Sequence, residues 1–84
     1  MFNAKIYISL KEGVSDPQGV TIKHALDSLG YKGVKKVKTG KYLQVELEIN
    51  DKERVKEEIE DMCKKILVNP VIENYTYKIE EIKE

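Results

Sequence analysis

Phe2-Asn3-Ala4-Lys5-Ile6-Tyr7-Ile8-Ser9-Leu10 decides the fold class. Phe2, Ala4, Ile6, Ile8 and Leu10 alternate strictly with Asn3, Lys5, Tyr7 and Ser9. Successive side chains of a strand point to opposite faces, so this period of two predicts a strand with one buried face. Lys11-Glu12-Gly13 ends it, and the rest of the chain must supply a cover for the apolar face.

Ser15-Asp16-Pro17 starts a helix. Asp16 is placed to cap free N–H groups, and Pro17 suits the first helical position, where its missing donor has no partner to lose. Ile22, Ala25, Leu26 and Leu29 recur at helical spacing as one apolar stripe, and Gly30 closes the helix. Residues 34–39 alternate poorly and Lys41 to Ile49 alternate well, with Leu43, Val45, Leu47 and Ile49 on one side. The reading is two strands joined by a tight turn at Thr39-Gly40, or one long bent strand.

Asn50 and Glu53 have the spacing of a capping box. Val55, Ile59, Met62 and Ile66 form a second helical stripe with Cys63 at its margin, and Asn69-Pro70 stops that helix. Val71 to Ile82 completes the chain as a strand. The order β-α-β-β-α-β predicts a single α+β domain over residues 1–84. Its expected form is a ferredoxin-like sandwich: one antiparallel sheet with two helices on one face. The other face then carries Lys5, Tyr7, Ser9, Tyr42, Gln44, Glu46, Asn74 and Thr76.

With 84 residues the core is thin, and oligomerisation is a common way for such a domain to gain stability. A hydrophobic content of 40% with balanced charge excludes a disordered chain. Fifteen basic residues against fifteen acidic ones leave no surplus to displace counterions from phosphates, which argues against a nucleic-acid binder. Only Lys35, Lys36, Lys38 and Lys41 cluster. No apolar run approaches a bilayer span, the N-terminus lacks a signal-peptide core, and the lone Cys63 forms no internal disulfide; cytoplasm is the expected compartment.

The inventory for catalysis is poor. His24 is the single histidine and falls on the far side of its helix from the apolar stripe, with Val20 and Asp27. Cys63 has no companion ligand, and it lies late in its helix, where the dipole disfavours a thiolate. The glycines form no phosphate-binding loop, and the acids of the second helix alternate with lysines as a solvated face. These features leave no visible catalytic, cofactor or metal site.

Three stretches carry a resemblance. The first is Leu10-Lys11-Glu12-Gly13-Val14-Ser15-Asp16-Pro17-Gln18-Gly19, running on through His24-Ala25-Leu26 to Ser28-Leu29-Gly30-Tyr31. The second is Val37-Lys38-Thr39-Gly40-Lys41-Tyr42. The third is Met62-Cys63, then Leu67-Val68-Asn69-Pro70-Val71-Ile72-Glu73-Asn74-Tyr75. Together, over nearly the whole chain, they resemble the PurS family, the small subunit of phosphoribosylformylglycinamidine synthase. Ser15 departs from the pattern, where a larger apolar residue is expected.

The resemblance implies a subunit of a glutamine- and ATP-dependent ligase of purine biosynthesis. It would have no catalytic residue of its own and would join a large PurL-type synthetase subunit to a PurQ-type glutaminase to support ammonia transfer. ATP and Mg would serve the complex, with none held by this chain. A homodimer or larger assembly is expected, with no nucleic acid or membrane partner. Capping and turning account for Asp16, Pro17, Gly30, Asn69 and Pro70. Lys11, Gln18 and His24 have no such architectural reason and are the expected partner contacts. The rival reading is an ACT-like regulatory domain that senses a small molecule, which has the same element order.

Overall fold

The computed structural model describes residues 1–83. The first strand, β1, spans Phe2–Leu10 as its alternation predicts, with Phe2, Ala4, Ile6 and Ile8 buried. It is the centre of a three-stranded sheet. Strand β2, Gly40–Leu47, pairs antiparallel on one side, and β3, Glu73–Glu81, pairs antiparallel on the other. Ile6 stands opposite Leu43 and Tyr77, and Tyr7 opposite Tyr42 and Thr76, so apolar and polar positions fall on separate faces.

Helix α2, Lys52–Met62, covers the apolar face. Val55, Ile59 and Cys63 recur every four residues and are its buried line; together with Phe2, Ala4, Ile6, Ile8, Leu47 and Val68 they make the core. The expected stripe is corrected here. Ile66 is 80% exposed, Met62 is only half-buried, and Cys63 is central and not marginal. The cause is a π-helical turn over Cys63–Leu67, in which Val68 N–H donates to the Cys63 carbonyl at 3.1 Å. One extra residue in the turn rotates Ile66 out of line with Ile59. The cap is Asp51, one residue beyond the expected Asn50; its side chain accepts from Glu53 N–H at 3.0 Å.

Helix α1 spans Pro17–Ser28, with Asp16 as its cap and Pro17 in its first turn. Gly30 at φ +95° follows it, a left-handed conformation that glycine enters without a steric penalty. Asn69 does not turn the chain in that way, since no residue other than glycine has a positive φ among the described residues. It works through hydrogen bonds: its side chain accepts from Val71 N–H, and its carbonyl accepts from Ile72 and Glu73 N–H.

The α+β class with an antiparallel sheet stands, and two details differ from expectation. Residues 34–39 are not a strand of the sheet, and no tight turn follows them; β2 begins at Gly40 directly after them. Helix α1 does not lie against the sheet. Its stripe is open, with Ile22 44% and Leu29 75% exposed, and Gly19 is its only buried residue. The molecule is therefore long and thin, 50 × 31 × 14 Å.

Candidate functional site

The three expected contact residues sit on the segment between β1 and β2. Lys11 follows the last residue of β1 and is half-buried; its N–H donates to the Ile72 carbonyl at 2.8 Å, which joins this loop to the one before β3. Gln18 is exposed in the first turn of α1, four residues before Ile22 and so on the same side as the apolar stripe. His24 is exposed on the opposite side of that helix, roughly 120° from Gln18 at 100° per residue. The structure thus places the three on one segment without gathering them into one pocket. A hollow of about 420 Å³ lies beside Lys11, with Val14, Val20 and Val37 as apolar walls and Lys35 at its lining.

Asp16 organises this region. Its carboxylate accepts from Gly19 N–H at 3.0 Å, from Thr39 N–H at 2.8 Å and from the Thr39 hydroxyl at 2.7 Å. The Thr39 bonds, above all, hold its carboxyl below the usual range, because each favours the charged form. Gly19 allows the approach: a Cβ there would collide with the Val37 carbonyl oxygen. Glu12 accepts from both Lys36 and Lys38, the stronger bond being to Lys38. Capping predicted Asp16 from local sequence; its bonds to Thr39, 23 residues on, have no local signal.

Two further carboxylates tie the sheet to its surroundings, and sequence reasoning missed both. Glu73 is only 8% exposed. It accepts from Asn69 N–H at 2.8 Å and pairs with Lys41 at 3.2 Å, so it fastens the loop before β3 to β2. Glu60 accepts from the Tyr75 hydroxyl at 2.6 Å and the Tyr77 hydroxyl at 2.8 Å. The helical spacing of Glu60 reads as a solvated face, and only the placement of β3 beneath it shows otherwise.

On the opposite sheet face, Tyr7 and Tyr42 stack with centroids 5.1 Å apart. Cys63 is fully buried, and burial pushes its thiol pKa up, away from the reactive thiolate. The Glu60 charge raises the thiol further, and His24 is on α1. Among the described residues, no group of three His, Cys, Asp or Glu could hold a metal ion. Among the described residues, no helix is long and apolar enough to cross a membrane.

The comparisons decide among the functions such a domain can host. The family model for PurS, phosphoribosylformylglycinamidine (FGAM) synthase, matches residues 3–81. The chain belongs to the PurS family. It is 48% identical to the PurS subunit of phosphoribosylformylglycinamidine synthase from Methanocaldococcus jannaschii, over 99% of this chain and all of that one. The crystal structure of that PurS superposes with a TM-score of 0.87. The Bacillus subtilis PurS subunit is 44% identical over 98% of this chain and 96% of its own length. A chain in the structure of PurLQS from Thermotoga maritima matches at a TM-score of 0.85 and 34% identity, over 94% of this chain and 96% of that one. As a PurS-family chain, this protein is a subunit of FGAM synthase in purine biosynthesis.

Proposed function

We propose that this chain is the non-catalytic small subunit of its complex, a homodimer in the cytoplasm that joins a PurL-type synthetase to a PurQ-type glutaminase. The likeness to a chain of the Thermotoga maritima PurLQS structure carries this reading. The chemistry of the chain agrees with it: the one thiol is buried with a raised pKa, and the one imidazole lies exposed on a different helix. Neither is placed to release ammonia from glutamine. ATP and its magnesium ion then belong to the larger subunits, which perform the ligation.

Holding the two catalytic subunits together raises the effective concentration of ammonia at the receiving site and limits its loss to water. Lys11, Gln18 and His24 are the proposed contacts. The hollow beside Lys11, with apolar walls and lysines around it, suits an apolar side chain flanked by acidic groups. The test is reconstitution with the two larger subunits. Glutamine-dependent turnover should fall sharply when this chain is omitted, and turnover with excess ammonium should fall less. Equal loss with both nitrogen sources would replace bridging with a structural effect on the synthetase. Turnover by this chain alone, after removal of contaminants, would show a catalytic site.

A further inference from the structure

The outer face of the sheet, away from α2, is laid out in rows across the three strands. Tyr42, Tyr7 and Thr76 stand opposite one another in one row, and Gly40, Ser9 and Asn74 in the next. The first row is aromatic and exposed, with Tyr7 and Tyr42 stacked at a centroid distance of 5.1 Å. The second row is low. Gly40 has no room for a side chain, since a Cβ there would collide with the Ile8 carbonyl, and Ser9 and Asn74 are short. The drop between the rows opens a hollow of about 360 Å³, walled by the two tyrosines and floored by Gly40, Ser9 and Asn74. The hydroxyls of Tyr75 and Tyr77, on the other face, are bonded to Glu60. Among the described residues, the Ser9 hydroxyl and the Asn74 side-chain amide have no such partner and stand exposed.

We propose that this hollow binds a fused two-ring heteroaromatic ligand of the purine type. Spacing carries the proposal first. Rows on one face of a strand lie about 6.7 Å apart, so a ring over the low row meets the tyrosines within the roughly 4.5–7 Å of stacked and edge-to-face pairs. Neighbouring strands lie about 4.8 Å apart, so the floor from Gly40 to Asn74 is about 10 Å wide, which suits a two-ring system better than a single ring. The edge of such a ring carries donors and acceptors. Ser9 can meet them with a hydroxyl and Asn74 with an amide that both donates and accepts. Charge selects a base or nucleoside over a polynucleotide. Lys5 and Lys78 on this face are balanced by Glu46 and Glu80, and Lys5 is paired with Glu80 at 3.1 Å. That balance leaves no basic track for a phosphate backbone. The volume lies at the small end for ligand sites, which again fits a base or nucleoside. FGAM synthase serves purine biosynthesis, so the ligand belongs to the chemical class that the pathway makes. The site is separate from the bridging contacts proposed on Lys11 and α1.

The test is an NMR titration of the intact chain with adenosine. The Ser9 and Asn74 amides and the Tyr7 and Tyr42 rings should shift and saturate together. Tyr31, exposed just after α1, should not follow them. Tyr42→Ala should weaken binding at least about fivefold, the lower bound for losing one base–aromatic stack. Ser9→Leu, which fills the floor and keeps both tyrosines, should abolish saturation. No saturable shift up to about 10 mM adenosine would overturn the proposal. Equal shifts at Tyr31, the mark of unspecific stacking, would overturn it too. Shifts of the same residues on adding the larger subunits, with none on adding adenosine, would make the face a protein interface instead. Should either variant fail to fold, the wild-type map still decides.

Discussion

Tyr75 donates its hydroxyl hydrogen to Glu60 across 2.6 Å, which ties β3 to the outer flank of α2. Tyr77 donates to the other oxygen of the same carboxylate at 2.8 Å. One carboxylate thus joins α2, which covers the apolar face, to two residues of β3. Glu60→Gln removes the charge from both bonds and should cost about 1–3 kcal/mol, read as a lower denaturation midpoint. Tyr75→Phe should cost less, since Tyr77 still holds the carboxylate.

The same triad gives stability a dependence on pH at both ends. Hydrogen bonds from Tyr75 and Tyr77 hold the Glu60 carboxyl below its usual value. Its contribution is therefore present above the unfolded carboxyl pKa and is lost as pH falls through the lower folded value. The Tyr75 phenol is pushed up to about 12, first by its bond to Glu60 and then by burial. Its contribution is intact below the unfolded value near 10 and fades as pH rises toward 12. Denaturation midpoints across the range should show both flanks, and Tyr75→Phe should diminish the alkaline one.

Ile59 and Met62 separate the π turn from an uninterrupted stripe. Ile59 is fully buried, and Met62 is half-buried. Ile59→Ala should cost about 2–5 kcal/mol and Met62→Ala distinctly less. Equal losses would mean that Met62 packs as the simple helical repeat predicts.

Gly19→Ala pushes a methyl group into the Val37 carbonyl, which is backbone and yields poorly. An overpacking penalty of about 1–3 kcal/mol is expected. Exchange of the Thr39 amide, bonded to Asp16, should accelerate with it. An unchanged melting curve together with an unchanged Thr39 amide would show that the close approach of Gly19 to Val37 does not hold α1 against residues 37–39.

Gln18 and His24 stand exposed on different sides of α1. Replacing His24 with alanine should leave the melting temperature nearly unchanged, since surface changes usually stay within about 0.5 kcal/mol. In the reconstituted complex it should weaken glutamine-dependent turnover more than ammonium-dependent turnover. Gln18→Ala, on the side of the apolar stripe, should act on the association of the two copies as well. Undiminished assembly in both variants would remove them from the contact surface.

The sequence by itself determined the alternation of β1 and β2, the caps around Asp16 and Gly30, and the amphipathic character of both helices. Each of these is written in residues a few positions apart, where local sterics and a period of two or 3.6 decide. The resemblance of its motifs to the PurS family also lay in the linear order of residues. Tertiary structure alone decided which capable segments meet. Residues 34–39 alternate poorly and lead directly into β2, and the sheet does not take them up as a strand although β2 and β3 are both open edges. The stripe on α1 is apolar in the sequence and open in the structure, because Asp16, Thr39 and Gly19 direct the helix away from its own sheet. Glu60 reads locally as a solvated acid, and Glu73 carries no local signal of its role. They become structural only where the fold brings Tyr75, Tyr77, Asn69 and Lys41 to their oxygens, across separations that no local pattern records.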